Sequence, residues 1–395
     1  MSVSTFGMAG AASNYAATDL PQDRLVRKEV ALGVIREIEP PQDHIGLSLI
    51  APWKEVASDD VIFDYAKGLT DGLAPARAED AESELARKDD YVLGQGRASI
   101  IDWALKDHYT ASDVTRYREL QRIAELTQNG GSFPLTINSM TEDFASKVAR
   151  DDARRQRKLY NRLEWLIMTG LHAGVITYND GRIKFTVDYG RPAGQHAQAP
   201  ASGTYASTTH DPINDIVQLQ ESHYESTGVV LKRAIASRKF LNSLIRSEKF
   251  NTRAGFVSDG TGGITSADPR YLIDGWGPQV AIDLIQRQTG LQFVEYDSVY
   301  RTRALGSTTV VQTRFTPQNR VIFLPDENDL QEFDDTEIGF AKTLTSPHPE
   351  GNWSAGFYEW EQGTRDPWGT DRGTGVKAFP VFLHMDKTVT WDVTL

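Results

Sequence analysis

The 395-residue sequence predicts an α+β protein of more than one lobe, and three observations lead there. Apolar residues recur at helical spacing over some thirty positions from about 139 to 171. A hairpin pattern follows at once, and between 211 and 345 short strand and helix signals alternate. The chain then closes on strand-like runs, AFPVFL and TVTWDVTL. Single cores usually stop growing at ~250–300 residues, so a chain of this length divides its core.

Residues 1–20 are small and polar and read as an arm that orders only against a partner. The stretch VALGVIREIEPPQDHIGLSLI alternates apolar runs with Pro40-Pro41, which forbids one continuous helix. From Val61 to about Tyr109 the chain is charged and weakly hydrophobic. It reads as a two-stranded excursion whose return strand includes Tyr91, Val92 and Leu93. So long a segment is unusual in a compact protein unless it packs on something outside its own domain.

Asp113 caps a predicted helix through Leu126, stopped by Asn129-Gly130-Gly131. The longer helix starts at Ser139 or Thr141 and reaches Leu171, closed near Gly174. Phe144, Val148, Leu159, Leu163, Leu166 and Ile167 form its stripe, with a charged break between Arg150 and Lys158. At 1.5 Å per residue it is roughly 45 Å long. VITYNDGRIKFTVDY turns at Asn179-Asp180-Gly181, and Gly190 to Asp211 reads as a polar linker. Beyond it, VVL, LQFVEY, STTVVQTRF and RVIFLP read as strands, and helices run through Phe240–Ile245 and from Pro278 past Ile285. The Gly- and Trp-rich stretch from about 345 to 376 reads as loop, and in the last strand Val389, Trp391, Val393 and Leu395 share a face.

Composition excludes several functions. Hydrophobic content of 39% and charged content of 24% are globular values. No run of ~18 apolar residues offers a membrane span, and the first basic residue, Arg24, comes too late for a signal peptide. No cysteine is present for a disulfide, thiolate site or nucleophile. A net charge of -12 argues against a protein whose main task is gripping nucleic acid; it fits both an acidic container that does not adsorb DNA and plain solubility, and charge alone does not choose between them.

No catalytic, cofactor-binding or metal-ligating set emerges. H-E-x-x-H, G-x-S-x-G and the P-loop lysine are missing. SDGTGGIT at 258–265 lacks the Gly-Lys-Ser/Thr ending and reads as a surface loop. His196 and His210 sit in the polar linker with nothing to orient a ring, and His172 reads as a helix C-terminal cap. The acids from Asp326 to Glu337 lack EF-hand spacing, so a solvated loop is favoured over a calcium site. The cations Lys147 to Arg162, and those from Lys232 to Arg253, lack the interleaved aromatics of a nucleic-acid face. They are read as pairing with acids of the same or a neighbouring copy. Trp353, Trp360 and Trp368, beside Phe357 and Tyr358, read as an interface anchor in preference to a carbohydrate platform.

Five segments then fall in a telling order: KFTVDYGRP, THDPINDI, SHYESTGVVLKRAIASRKFLNSLIRSEKFNTRAG, GLQFVEYDSVYRTRALGSTTVVQTRFTPQNRVIFLPD and GVKAFPVFLHMDKTVTWDVTL. From Ser139 to Leu395 the sequence resembles the lambda-type major capsid proteins of tailed phages, the major capsid protein E family with the Hong Kong 97 fold. Lys232–Ala236 departs from the pattern in lacking an Asp-Pro ahead of the lobe's helix.

The resemblance implies an N-terminal arm at 1–50 and an extended loop with its following helix at 51–138. It further implies a peripheral domain of spine helix and hairpin at 139–210, an inserted axial domain at 211–345, and return strands at 346–395. It implies pentamers and hexamers forming an icosahedral head around double-stranded DNA, without sequence-specific binding, catalysis or cofactor. The head is assembled in the host cytoplasm with a separate scaffold protein and a portal; a decoration protein is an open option. Lys67 or Lys88 could cross-link subunits, with a solvated role as the default. The rival readings are an encapsulin-like bacterial compartment shell and a carboxylate-based hydrolase.

Overall fold

The computed structural model describes residues 40–67, 92–110, 112–113, 136–181, 183–247, 279, 282–303, 308–326, 340–365 and 368–395. The predicted helix from Asp113, the loop at 258–265, Lys88, Pro278, Val280 and the acids beyond Asp326 lie outside them.

A single π-helical turn, Gly46–Ile50, leads into β1 (Trp53–Glu55). The excursion is the expected antiparallel ribbon, β2 (Asp60–Lys67) against β3 (Val92–Ser99), registered from Asp60 opposite Ser99 to Lys67 opposite Val92. Its last segment does something else. Strand β4 (Asp102–Thr110) leaves the ribbon and enters the main sheet.

Helix α1 (Thr136–Ala173) starts a few residues ahead of the predicted cap and is about 57 Å long. It stops where Gly174 adopts φ 72°, a left-handed conformation that side chains disfavour. Leu159, Leu163, Leu166, Ile167 and Leu171 are fully buried along its C-terminal half. Strands β5 (Val175–Asn179) and β6 (Lys184–Asp188) form the expected hairpin, and Asn179 Oδ1 accepts from Gly181 N within the turn.

The segment 190–211 is not a loose linker. Gln198 exchanges backbone hydrogen bonds with Thr390 and Asp392, Arg191 Nη2 donates to Leu171 O at 2.6 Å, and Tyr205 is buried between the His210 and Phe240 rings. Asp211 then caps α2 (Pro212–Thr227) by accepting from Asn214 N, and Gly228 at φ 74° ends it.

The α/β lobe continues with β7 (Leu231–Ala236), α3 (Arg238–Ile245) capped by Ser237, β8 (Gln292–Glu295), β9 (Val299–Arg303), β10 (Val310–Arg314) and β11 (Arg320–Pro325). The chain returns through β12 (Ala341–Thr345), β13 (Phe357–Arg365), β14 (Trp368–Phe382) and β15 (Val389–Asp392).

Two sheets share the core. In one, fifteen-residue β14 is the central strand, paired with β13, β4 and β12, and β12 carries β1 on its far side. The other has the order β15-β11-β7-β8. Alternation along β11 splits its faces: Ile322 and Leu324 join the cluster built on α1, while Val321 and Phe323 join that of α2 and α3. The α/β sheet is therefore covered by helices on both sides.

These pairings cut across the boundary expected at 345/346. Residues 341–345 bond to β14, and the terminal strand 389–392 bonds to β11 of the α/β lobe. Hydrophobic alternation marks β15 as a strand but carries no information on which edge it joins.

The Gly- and Trp-rich stretch is a second difference: it is loop, with a short 3-10 turn at Pro349–Gly351, only as far as Gly356, and from Phe357 it is two long antiparallel strands, β13 and β14. The glycines misled because they serve packing. A Cβ on Gly373 would strike the Trp360 ring directly opposite, and one on Gly375 would strike Tyr358. Gly in a strand often marks such a close approach.

Candidate functional site

The helix and the main sheet are joined by charges. On the buried stripe of α1 the sequence Val148, Asp152, Arg155, Leu159 places two ionic residues in the phase of the apolar ones. Arg372 of β14 donates from Nη2 to Asp152 Oδ2 at 2.9 Å and from Nε to Asp152 Oδ1 at 3.1 Å. Arg155 also pairs with Asp152, meets Asp107 of β4 at 2.5 Å and donates to Thr374 Oγ1 at 3.2 Å. From β13, Glu361 accepts from Arg372 Nη1 at 3.0 Å, and Glu359 forms an ion pair with Arg372.

Glu359 is the odd member. Its carboxylate touches Arg372, yet neither oxygen accepts a well-directed hydrogen bond. Three buried acids, Asp152, Glu359 and Glu361, face two buried arginines. Burial pushes the Glu359 carboxyl up to about 7, with Arg372 opposing the shift.

A second joint lies two turns further along α1. Glu164 is fully buried, accepts from Tyr296 Oη at 2.6 Å and from Gly46 N at 3.0 Å, and so links the N-terminal segment and the α/β lobe to the helix. A Cβ on residue 46 would overlap the carboxylate, which is why glycine stands there. Burial pushes Glu164 up to about 7 against the pull of Tyr296 and Gly46.

Neither joint has the layout of a reaction centre. The cleft beside the first, about 260 Å³, is lined by Asp107, Asp113, Asp151, Lys147, Arg154 and Lys158 among others. Its acids are engaged: Asp107 by Arg155, Asp151 by Tyr109 and Arg154, Asp113 by Thr110. Among the described residues no three His, Asp or Glu side chains group as a metal site, and no helix is long and apolar enough to cross a membrane. What the joints do is fix how one long helix sits on two sheets.

Residues 31–333 match the family model described as phage major capsid protein E. The chain belongs to the phage major capsid protein E family. Its fold is shared with a capsid protein of a prophage of E. coli CFT073, at 14% identity and a TM-score of 0.53, over 92% of this chain and 97% of that one. A phage-related protein from Bordetella bronchiseptica RB50 aligns at 17% identity and a TM-score of 0.46, over 93% and 98% of the two chains. A virus-like particle from Pyrococcus furiosus aligns at 10% and 0.40, over 92% and 97%. No curated protein matches the sequence. The capsid protein thus has the α+β Hong Kong 97-like fold and is a component of a phage head, a shell of many copies.

The structure separates the residues that the sequence singled out. His210 is well oriented after all: it stacks on Tyr205 at 4.2 Å, and its ring nitrogens face Ser207 O at 2.6 Å and Ser243 O at 3.1 Å. His172 does close α1, but burial, with Arg320 and Arg191 nearby, lowers it to about 4, so it sits there neutral and supplies no capping charge. His196 is exposed and lies near Arg320 and Arg191.

Trp360 belongs to the β13–β14 pairing, whereas Trp353 is 73% exposed at φ 56°. Lys67 stands at the described end of β2. Of the cations, Arg154, Arg155 and Lys232 pair with acids of the same chain. Asp152, Arg372, Glu359 and Glu164 were missed by sequence reasoning. The signal was their phase: a charged break that falls on the apolar stripe of a helix is a buried charge awaiting a partner.

Proposed function

We propose that the capsid protein self-assembles into pentamers and hexamers that close an icosahedral head around the double-stranded DNA of a tailed phage. The match of residues 31–333 to the capsid family carries this reading. The protein acts as wall and not as enzyme, and copies associate in the host cytoplasm with a separate scaffold protein and a portal.

The division of labour we assign begins with an arm at 1–50 and an extended loop lying over a neighbour from about 51 to 101. The peripheral part comprises α1, the β5–β6 hairpin and the β14 sheet; the axial part takes 211–326 together with β15. The strand pairings favour this refinement of the boundaries. With a net charge of -12 on every copy, closure depends on salt or on opposite charges meeting across interfaces.

The test is electron microscopy of the purified protein across a salt series, alone and with the scaffold protein. Closed shells, or rings of five and six, are expected; a monodisperse monomer in every condition refutes the proposal.

A further inference from the structure

Strands β9 and β10 form a two-stranded ribbon with no third strand among the described residues. Its register sets Val299 opposite Arg314, Arg301 opposite Gln312 and Arg303 opposite Val310. Residues directly opposite share a face, so one side carries three arginines, two valines and a glutamine, of which Arg314 pairs with Asp297 of the same chain at 2.5 Å. All six are exposed, Val310 by 53%. The other side holds Tyr300 against Phe315, at 5.0 Å between centroids, and leaves Thr302, Val311 and Thr313 exposed beside it. An isolated two-stranded ribbon is marginal in water and presents unpaired edges.

A complementary patch lies on the same lobe. The outer face of α2 exposes Glu221, Tyr224 and Glu225, which are neighbours at helical spacing, and Tyr224 is 55% exposed. The two patches belong to elements packed on opposite sides of the α/β sheet. Ile213, Ile216 and Leu219 bind α2 to one side of the α/β sheet, while Tyr300 and Phe315 bind the ribbon to the cluster on the opposite side. Complementary patches on opposite sides of one body allow head-to-tail contacts, which close into rings when the rotation between copies closes.

We propose that the arginine face of the β9–β10 ribbon seats on the acidic outer face of α2 in the next copy of the chain, making the head-to-tail contact within a ring. Arginine over tyrosine and carboxylate, rimmed by valines, is the composition of an interface anchor. The valines favour a protein partner over phosphate. This rests on the shell reading above.

The test uses the absence of native cysteine. The double variant V310C/Y224C, and each single variant, are assembled and oxidised, then run on a denaturing gel beside electron microscopy of the same sample. The double variant is expected to give a ladder of covalent oligomers at least about tenfold above either single variant, because the interface pre-positions the pair. A second arm reverses charges: R301E/R303E and E221R/E225R are each expected to lose rings while keeping the wild-type melting temperature, and their combination to regain them.

Normal particles without a ladder overturn the contact and leave the shell reading intact; no particles and no ladder overturn both. If R301E/R303E assembles normally and loses only its binding to a duplex of about 30 base pairs, the ribbon is a nucleic-acid face and the proposal fails.

Discussion

The two halves of α1 meet their neighbours by different physics. Towards the C-terminus Leu163, Leu166, Ile167 and Leu171 pack against both sheets at zero exposure. Around Asp152 and Arg155 the same stripe is held by ion pairs with β4, β13 and β14. Apolar packing is strong but undirected, whereas a buried ionic joint is demanding about geometry and adds little net stability over a well-packed apolar one. The apolar half therefore holds the helix down, and the ionic half sets its register on the sheet.

The sharpest way to break that contrast is Arg372→Ala, which strands Asp152, Glu359 and Glu361 without their shared cation. A loss of about 3–5 kcal/mol is expected in chemical denaturation. Replacing Asp152, Glu359, Glu361 and Arg372 together by apolar residues of similar volume should cost much less than this single change. If it costs more, the ionic half stabilises as well as positions. On the apolar side, Leu166→Ala should cost about 2–5 kcal/mol by the same measurement. Its effect should be insensitive to salt and pH, unlike that of Arg372→Ala.

Gly373→Ala probes the sheet under the ionic half. The added methyl meets the Trp360 ring, and a loss of about 1–3 kcal/mol is expected. Trp360→Leu in the same chain should recover part of it.

The smallest effect is one of pH. Glu359 rises from 4.5 to about 7 in the fold, so the folded state prefers its protonated form. Its stabilisation is complete below about 4.5 and is lost as pH rises through 7. Glu359→Gln keeps the neutral form at every pH. The fall in melting temperature from pH 5 to 8 should therefore be shallower in the variant by a few degrees. Equal slopes would mean that Glu359 is ionised throughout. His44, His172 and His223, lowered to about 4 by burial, shift stability in the opposite sense, and they cancel between the two proteins.

Much of the fold was legible because its elements obey one period each. The spine helix, the β5–β6 hairpin, α3 and strands β8, β10 and β11 all carry clean spacing and local punctuation, whereas α2 was not read as a helix. Strands β13 and β14 did not, since Gly369, Gly373 and Gly375 give way to side chains from adjacent strands, and that requirement is set by tertiary contact. The joints were hidden for a related reason: Asp152 and Glu359 lie some two hundred positions apart in sequence, and neither announces that it will be buried.

Strand pairing also ties the ends of the described chain together. Trp53 lies opposite Thr343, Asp102 opposite Lys377, and β15 completes a sheet begun at Leu231. Contacts so distant along the chain form late and slowly. Until β15 docks, the α/β sheet keeps an open edge along β11, so a partly folded chain presents unpaired backbone there.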